Sequence, residues 1–229
     1  MKIKFSLLLL ALLLISCSQK KEDWTILFDG SNLNSWKGYL KDTPSDEWEI
    51  LDNTLVFTPK ENRGSVRNNI ITKESYTNFV LHLEWKISSG GNSGVFWAID
   101  EDEKYREPYE TGPEIQVLDN EKHPDGKILS HRAGSLYDMI QALPESVNPA
   151  GEWNTFDITI DHKNNIGLVV LNDVTVVEFP VKGPEWDEMV SNSKFATWSA
   201  FAKTDTGKIG LQDHDDTVYY RNIKIKRLP

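Results

Sequence analysis

Apolar and polar residues alternate with period two along most of this chain, and the clearest run lies at residues 79–87. There Phe79, Leu81, Leu83, Trp85 and Ile87 alternate with Val80, His82, Glu84 and Lys86. Five apolar positions on one parity predict a long strand with one buried face, and they put His82 on the solvent side or in a cross-strand pair. Residues 24–36 (WTILFDGSNLNSW) predict a strand ending at an Asp29-Gly30 turn, with Leu33 and Trp36 returning to the core. Residues 47–59 read as a hairpin about Asp52-Asn53, and residues 60–69 as a polar loop. Residues 153–160 resume the sheet, and residues 164–180 form a hairpin joined at Asn172-Asp173. A short helix is expected around residues 184–190 (PEWDEMV), with Trp186, Met189, Phe195 and Trp198 as a satellite cluster. Two strands over residues 207–228 finish the chain. Roughly ten strands and one short helix predict an all-β fold, a two-sheet sandwich or jelly roll.

The stretch most suggestive of chemistry is residues 112–120 (GPEIQVLDN). In a strand, Ile115 and Val117 point into a core while Glu114 and Gln116 point the other way. Strict alternation sends Asp119 to the core side, and a β-bulge after Gln116 would bring all three polar groups to one face. Such a unit is either a catalytic or ligand-gripping floor or the polar face of a half-buried strand. The acid-x-acid-x-x-acid spacing is similar to that of laminarinase-type glycosidases, with glutamine replacing the middle acid; two carboxylates still suffice for acid and base or nucleophile roles.

Several other residues are candidates. Gly90, Gly91 and Gly94 make a glycine-rich turn that lacks the lysine and helix of a phosphate loop. Trp97, just after it, is either a platform for a sugar ring or a core residue. Residues 121–151 show no sustained period and carry His123, His131, Arg132, Tyr137 and Asp138, which reads as a wall or lid over a site, or as a surface excursion. His82, His123, His131, His162 and His214 show no metal-ligand spacing, so no metal and no cofactor are expected. Residues 213–216 (DHDD) read as a solvated turn, with an ion as the alternative. His214 stands at a strand end where loops gather. Arg221 shares parity with Ile223 and Ile225, so it needs a carboxylate partner or orients Glu114 or Asp119.

Composition adds the setting. Residues 1–16 combine Lys2 and Lys4 with an apolar run from Phe5 to Ile15, which reads as a signal peptide and is too short to span a bilayer comfortably. Leu14-Ile15-Ser16-Cys17 matches the bacterial lipobox, and that resemblance implies cleavage before Cys17 and lipidation of its thiol. Residues 17–23 would then be a lipidated tether and residues 24–229 a single β-sandwich domain. The expected location is the outer membrane, facing the periplasm or the cell surface. Cys17 is the sole cysteine, so the domain must hold together without disulfides. Removing residues 1–16 takes away two lysines and no acid, moving the formal charge from -10 to -12, which argues against a nucleic-acid partner.

The blocks FDGSNLNSWKGY, EWKISSGGNSGVFW, GPEIQVLDN, HPDGK with HRAGSLYDMI, GEWNTFDITI and IGLQDHDDTVYYRNIKIKRL occur in this order over nearly all of the mature chain. Together they resemble the 3-keto-disaccharide hydrolase family, common in Bacteroidetes lipoproteins. The resemblance implies a concanavalin A-like jelly-roll sandwich of two antiparallel sheets. It also implies cleavage of a glycoside already oxidised at carbon 3 by a partner sugar dehydrogenase. A 3-keto group acidifies the hydrogen on carbon 2, so a base can remove it, the enolate can expel the group on carbon 1, and water addition completes a net hydrolysis. Glu114 or His131 is the expected base, with Gln116, Arg132 or His214 donating to the oxygens. Asp119 and Asp138 would orient histidines or protonate the leaving group, and Trp97, Tyr137 and Arg221 would contact substrate. The alternatives are a lectin-like glycan-binding module and a conventional laminarinase-like glycosidase.

Overall fold

The computed structural model describes residues 23–229; the expected signal peptide and the Cys17 lipidation site lie outside the described residues. In chain order the strands are β1 (Thr25–Phe28), β2 (Trp36–Gly38), β3 (Trp48–Leu51), β4 (Thr54–Phe57), β5 (Ile70–Thr72), β6 (Phe79–Ile87) and β7 (Asn92–Ile99). They continue as β8 (Glu114–Leu118), β9 (Asn154–Asp161), β10 (Ile166–Leu171), β11 (Val174–Phe179), β12 (Lys208–Leu211) and β13 (Val218–Arg227), with helix α1 (Pro184–Ser191) between β11 and β12. Every strand pairing is antiparallel. The larger sheet runs β11-β10-β9-β6-β13-β4-β3, with β1 also paired to β13, and the smaller runs β2-β5-β12-β7-β8. This is the jelly-roll-type sandwich that the alternation predicts.

The two sheets meet through their apolar parities. All five odd-numbered residues of β6 are buried, and Trp85 packs on Phe156 of β9 with ring centroids 5.3 Å apart. From the smaller sheet, Val95, Trp97, Ile115, Val117 and Leu211 join the same core. Burying large apolar side chains at about 25 cal/mol per Å² is the main favourable term available to a domain without cross-links. Both predicted hairpins form, and Asp52-Asn53 and Asn172-Asp173 all adopt positive φ, the geometry whose twist matches the flanking strands. The strands that periodicity did not reveal, β2 and β5, have three residues each, too few for a period to register.

Register decides the two open parities, keeping one and changing the other. No bulge follows Gln116: the register of β7 with β8 is continuous from Phe96↔Glu114 to Asn92↔Leu118. Asp119 therefore stays off the Glu114 face. A register shift does occur between Arg221 and Lys224 of β13, where Asn222 takes a φ of 52°. That shift moves Arg221 to the outer face of the larger sheet, away from the parity of Ile223.

Candidate active site

The outer face of the smaller sheet carries the site. On β7 and β8, Asn92, Gly94, Glu114 and Gln116 turn away from the core, and Gln212 follows directly after β12, its N–H bonded to the carbonyl of Gly94 at 2.9 Å. These residues floor a cavity of about 340 Å³, near the lower end for ligand pockets. Its walls are loops. Tyr109 comes from the turn Pro108–Glu110, Tyr137 from residues 121–151, and Lys194, Phe195 and Trp198 from the segment after α1, while Arg67, Asp213 and His214 complete the lining.

Glu114 is the unusual group. Its burial pushes its carboxyl up to about 8, while nearby Lys194 opposes that shift by favouring the carboxylate and Asp125 adds to it. Gly94 makes room for it, because a Cβ at position 94 would overlap the Glu114 carboxylate. Among the described residues no group donates a hydrogen bond to that carboxylate. The other pocket carboxylate, Asp213, is differently placed: Arg63 grips both its oxygens, and the N–H groups of Asn68 and Asp215 add to them. Three amide oxygens around Glu114, namely Oδ1 of Asn92 and Oε1 of Gln116 and Gln212, are buried without a donor among the described residues. Unpaired buried acceptors cost about 1–3 kcal/mol each, a cost that hydroxyl groups of a ligand would relieve.

A second layer fixes the walls. His131 Nε2 lies 2.9 Å from Asp138 Oδ1, and its ring stacks on Tyr137 with centroids 4.3 Å apart. The other Asp138 oxygen accepts the N–H of Lys194 at 2.6 Å, so one carboxylate ties the 121–151 wall to the segment after α1. Lys194 Nζ then lies 4.1 Å from the centre of the Tyr137 ring. Desolvation raises the Tyr137 hydroxyl and keeps it protonated at neutral pH. Burial lowers His214, with the positive charge of Arg67 adding to the effect, so its imidazole is neutral.

Of the residues expected from sequence, Glu114, Gln116, Tyr137 and His214 line the cavity. The others do not. Trp97 is buried against Phe179 in the core, 5.9 Å between ring centroids, and offers no platform to a sugar. Asp119 spends its carboxylate on the N–H groups of Gly90, Glu121 and Lys122, organising the turn beyond β8. His131 and Asp138 stand behind Tyr137 and Lys194. Arg132 bonds the carbonyl of Gly126 and Glu145, and Arg221 pairs with Glu84 at 2.6 Å over Trp153 on the opposite side of the sandwich. The turn 213–216 is not simply solvated either: Asp213 is buried, and Asp216 accepts the Asn92 N–H at 3.0 Å. That turn brings His214 and Asp216 to His123, with one potential ligand atom from each within 4.8 Å of the others, a grouping able to hold a cation that linear spacing conceals. Lys194 and Tyr109 carry no local signal, and Trp198, expected in a satellite cluster, also reaches the cavity, because only the closed fold brings the three to it.

Residues 23–226 match the family model described as a 3-keto-alpha-glucoside-1,2-lyase-like domain. A 3-keto-disaccharide hydrolase from Bacteroides thetaiotaomicron is 37% identical over 233 residues, covering 90% of this chain and 79% of that protein. A candidate glycosyl hydrolase from Parabacteroides distasonis superposes with a TM-score of 0.82 at 30% identity, over 90% of this chain and 94% of that one. A Bacillus subtilis protein with a galectin-like fold shares the architecture at a TM-score of 0.54 and 13% identity, over 90% of this chain and 89% of that one.

Proposed function

The chain belongs to the 3-keto-alpha-glucoside-1,2-lyase-like domain family, and from that premise we propose that its pocket cleaves glycosides oxidised at carbon 3, by elimination across carbons 1 and 2. The observation that carries this reading is Glu114: a buried carboxyl, raised to about 8, free of hydrogen-bond donors among the described residues and facing a cavity floored by amides. Such a group is a stronger base than an ordinary carboxylate once ionised.

Glu114 takes the proton from carbon 2, which the adjacent ketone has made acidic. The electron pair left behind moves into the enolate, whose oxygen is steadied by a positive charge, and Lys194 is the cation suitably near. The enolate then expels the group on carbon 1 as an alcohol, and the proton gained by Glu114 is available to that departing oxygen. No oxidant is consumed. Water adding to the resulting double bond gives the free 3-keto sugar, so the sum is a hydrolysis. The amide oxygens of Asn92, Gln116 and Gln212 accept from the sugar hydroxyls and fix the ring for this step. His131 and Asp138 act through others, holding Tyr137 and Lys194 in place. The ketone must be installed beforehand, so a sugar 3-dehydrogenase is the expected supplier. A lipid anchor at Cys17 would keep the domain in the cell envelope.

The test is to supply the purified protein with a 3-keto disaccharide and, separately, with its unoxidised parent, and to follow products by chromatography. Turnover of the oxidised sugar alone is expected. Turnover of the parent alone would indicate a conventional glycosidase, and binding without turnover of either would indicate a lectin.

A further inference from the structure

The cavity is chemically two-sided. Around Glu114 its lining consists of amides, charged groups and the Tyr137 ring, whereas a second, aromatic wall is built by two loops far apart in sequence. Tyr109 and Trp198 face each other there with ring centroids 5.9 Å apart, tilted by 44°. The loops are stitched together by a backbone hydrogen bond from the Ala202 N–H to the Thr111 carbonyl, 2.8 Å. Behind Trp198 stands a stacked pair, Phe195 on Phe201, 3.9 Å apart and nearly parallel at 6°. Trp198 meets both rings edge-on, at 5.2 Å and 6.4 Å.

This group lies outside the main hydrophobic core. Tyr109 remains 37% exposed, and Trp198 is only partly buried. Core packing therefore does not account for bringing the two rings to the cavity. Aromatic faces carry partial negative charge, and the C–H faces of a pyranose or the edges of a second aromatic ring complement them.

We propose that Tyr109 and Trp198 form the subsite for the leaving group and select glycosides whose departing unit is itself a ring. The proposal rests on the functional reading above, since it needs the oxidised sugar to occupy the polar floor. The floor grips one ring through hydrogen bonds, and the aromatic wall stacks on the next. A small alkyl leaving group offers no ring face for the wall to stack on.

The experiment compares kcat/KM of the wild type, Trp198→Ala, Tyr109→Ala and Trp198→Phe on three 3-keto glucosides carrying a second sugar, an aryl group or a methyl group. Expected is a roughly tenfold fall in the ratio of ring-bearing to methyl substrate for each alanine variant, with Trp198→Phe restoring most of it. The sugar and aryl arms tell which kind of ring the wall prefers. An unchanged ratio would overturn the proposal, even if all rates fall together. Calorimetric titration of the unoxidised disaccharide into wild type and Trp198→Ala, with circular dichroism to verify folding, gives a readout that does not require turnover. Weaker binding by the variant supports the platform even if the 3-keto chemistry proves wrong, and equal binding removes it.

Discussion

The outer faces of the two sheets are made by the same alternation and are used in opposite ways. On the larger sheet, polar groups are paired with one another: Arg221 with Glu84, His82 with Asp157 at 2.8 Å, and Lys86 over the rings of Trp153 and Tyr219. On the smaller sheet, Glu114, Asn92, Gln116 and Gln212 are buried deeper, and the three amide oxygens have no donor among the described residues. Surface pairs contribute little to stability, at most about 1 kcal/mol, while unpaired buried groups cost more than that. Hydroxyl groups of a ligand would offset that cost on the smaller sheet. The difference lies in what covers the two faces, since loops close over one and water reaches the other.

The strongest way to break this comparison is Glu114→Gln. Turnover is expected to fall at least a thousandfold, on the order of what loss of a general base costs. Stability should move the other way. Because Glu114 keeps its proton in the fold up to about pH 8 but loses it in the unfolded chain from about pH 4.5, folding takes up a proton between these values and stability declines as pH rises through that window. The variant loses that decline, and near pH 8 it should be more stable by roughly 4 kcal/mol, read from denaturant melts across pH. For the wild type, kcat/KM should rise with pH towards a plateau above about 8, because the base must be ionised.

Next comes Gly94→Ala. The added methyl group displaces the flexible Glu114 carboxylate rather than backbone, so kcat should drop roughly a hundredfold, as misplacement of a reacting group by about 1 Å does, while the melting temperature changes by only a few degrees. The smallest effect is expected on the opposite face. Arg221→Ala removes a partly exposed ion pair and its packing on Trp153, which should cost about 1 kcal/mol in a urea melt and leave kcat/KM within about twofold. A large activity loss in Arg221→Ala would undo the division of labour between the faces.

Much of the framework was legible because period-two patterning acts residue by residue. The five buried positions of β6, both hairpin turns and the outward aim of Glu114 and Gln116 follow from it. Trp97 was legible by the same rule, since the parity of Val95 selects the core over the sugar platform, the two uses its position left open. What alternation cannot supply is register. The continuous register after Gln116 leaves Asp119 where strict alternation puts it, off the Glu114 face, whereas the shift at Asn222 reverses the placement of Arg221. Nor does local sequence announce long-range closure: Lys194 reaches Glu114 through Asp138, and Trp198 meets Tyr109, only once the loops have packed on the finished sheet.

If Glu114 removes the proton from carbon 2 of a 3-keto glycoside, a substrate deuterated at that carbon shows a primary isotope effect on cleavage and yields a product in which carbon 2 carries hydrogen from solvent, with neither exchange nor cleavage in Glu114→Gln. Cleavage at an undiminished rate with the deuterium retained at carbon 2 would contradict that role for Glu114.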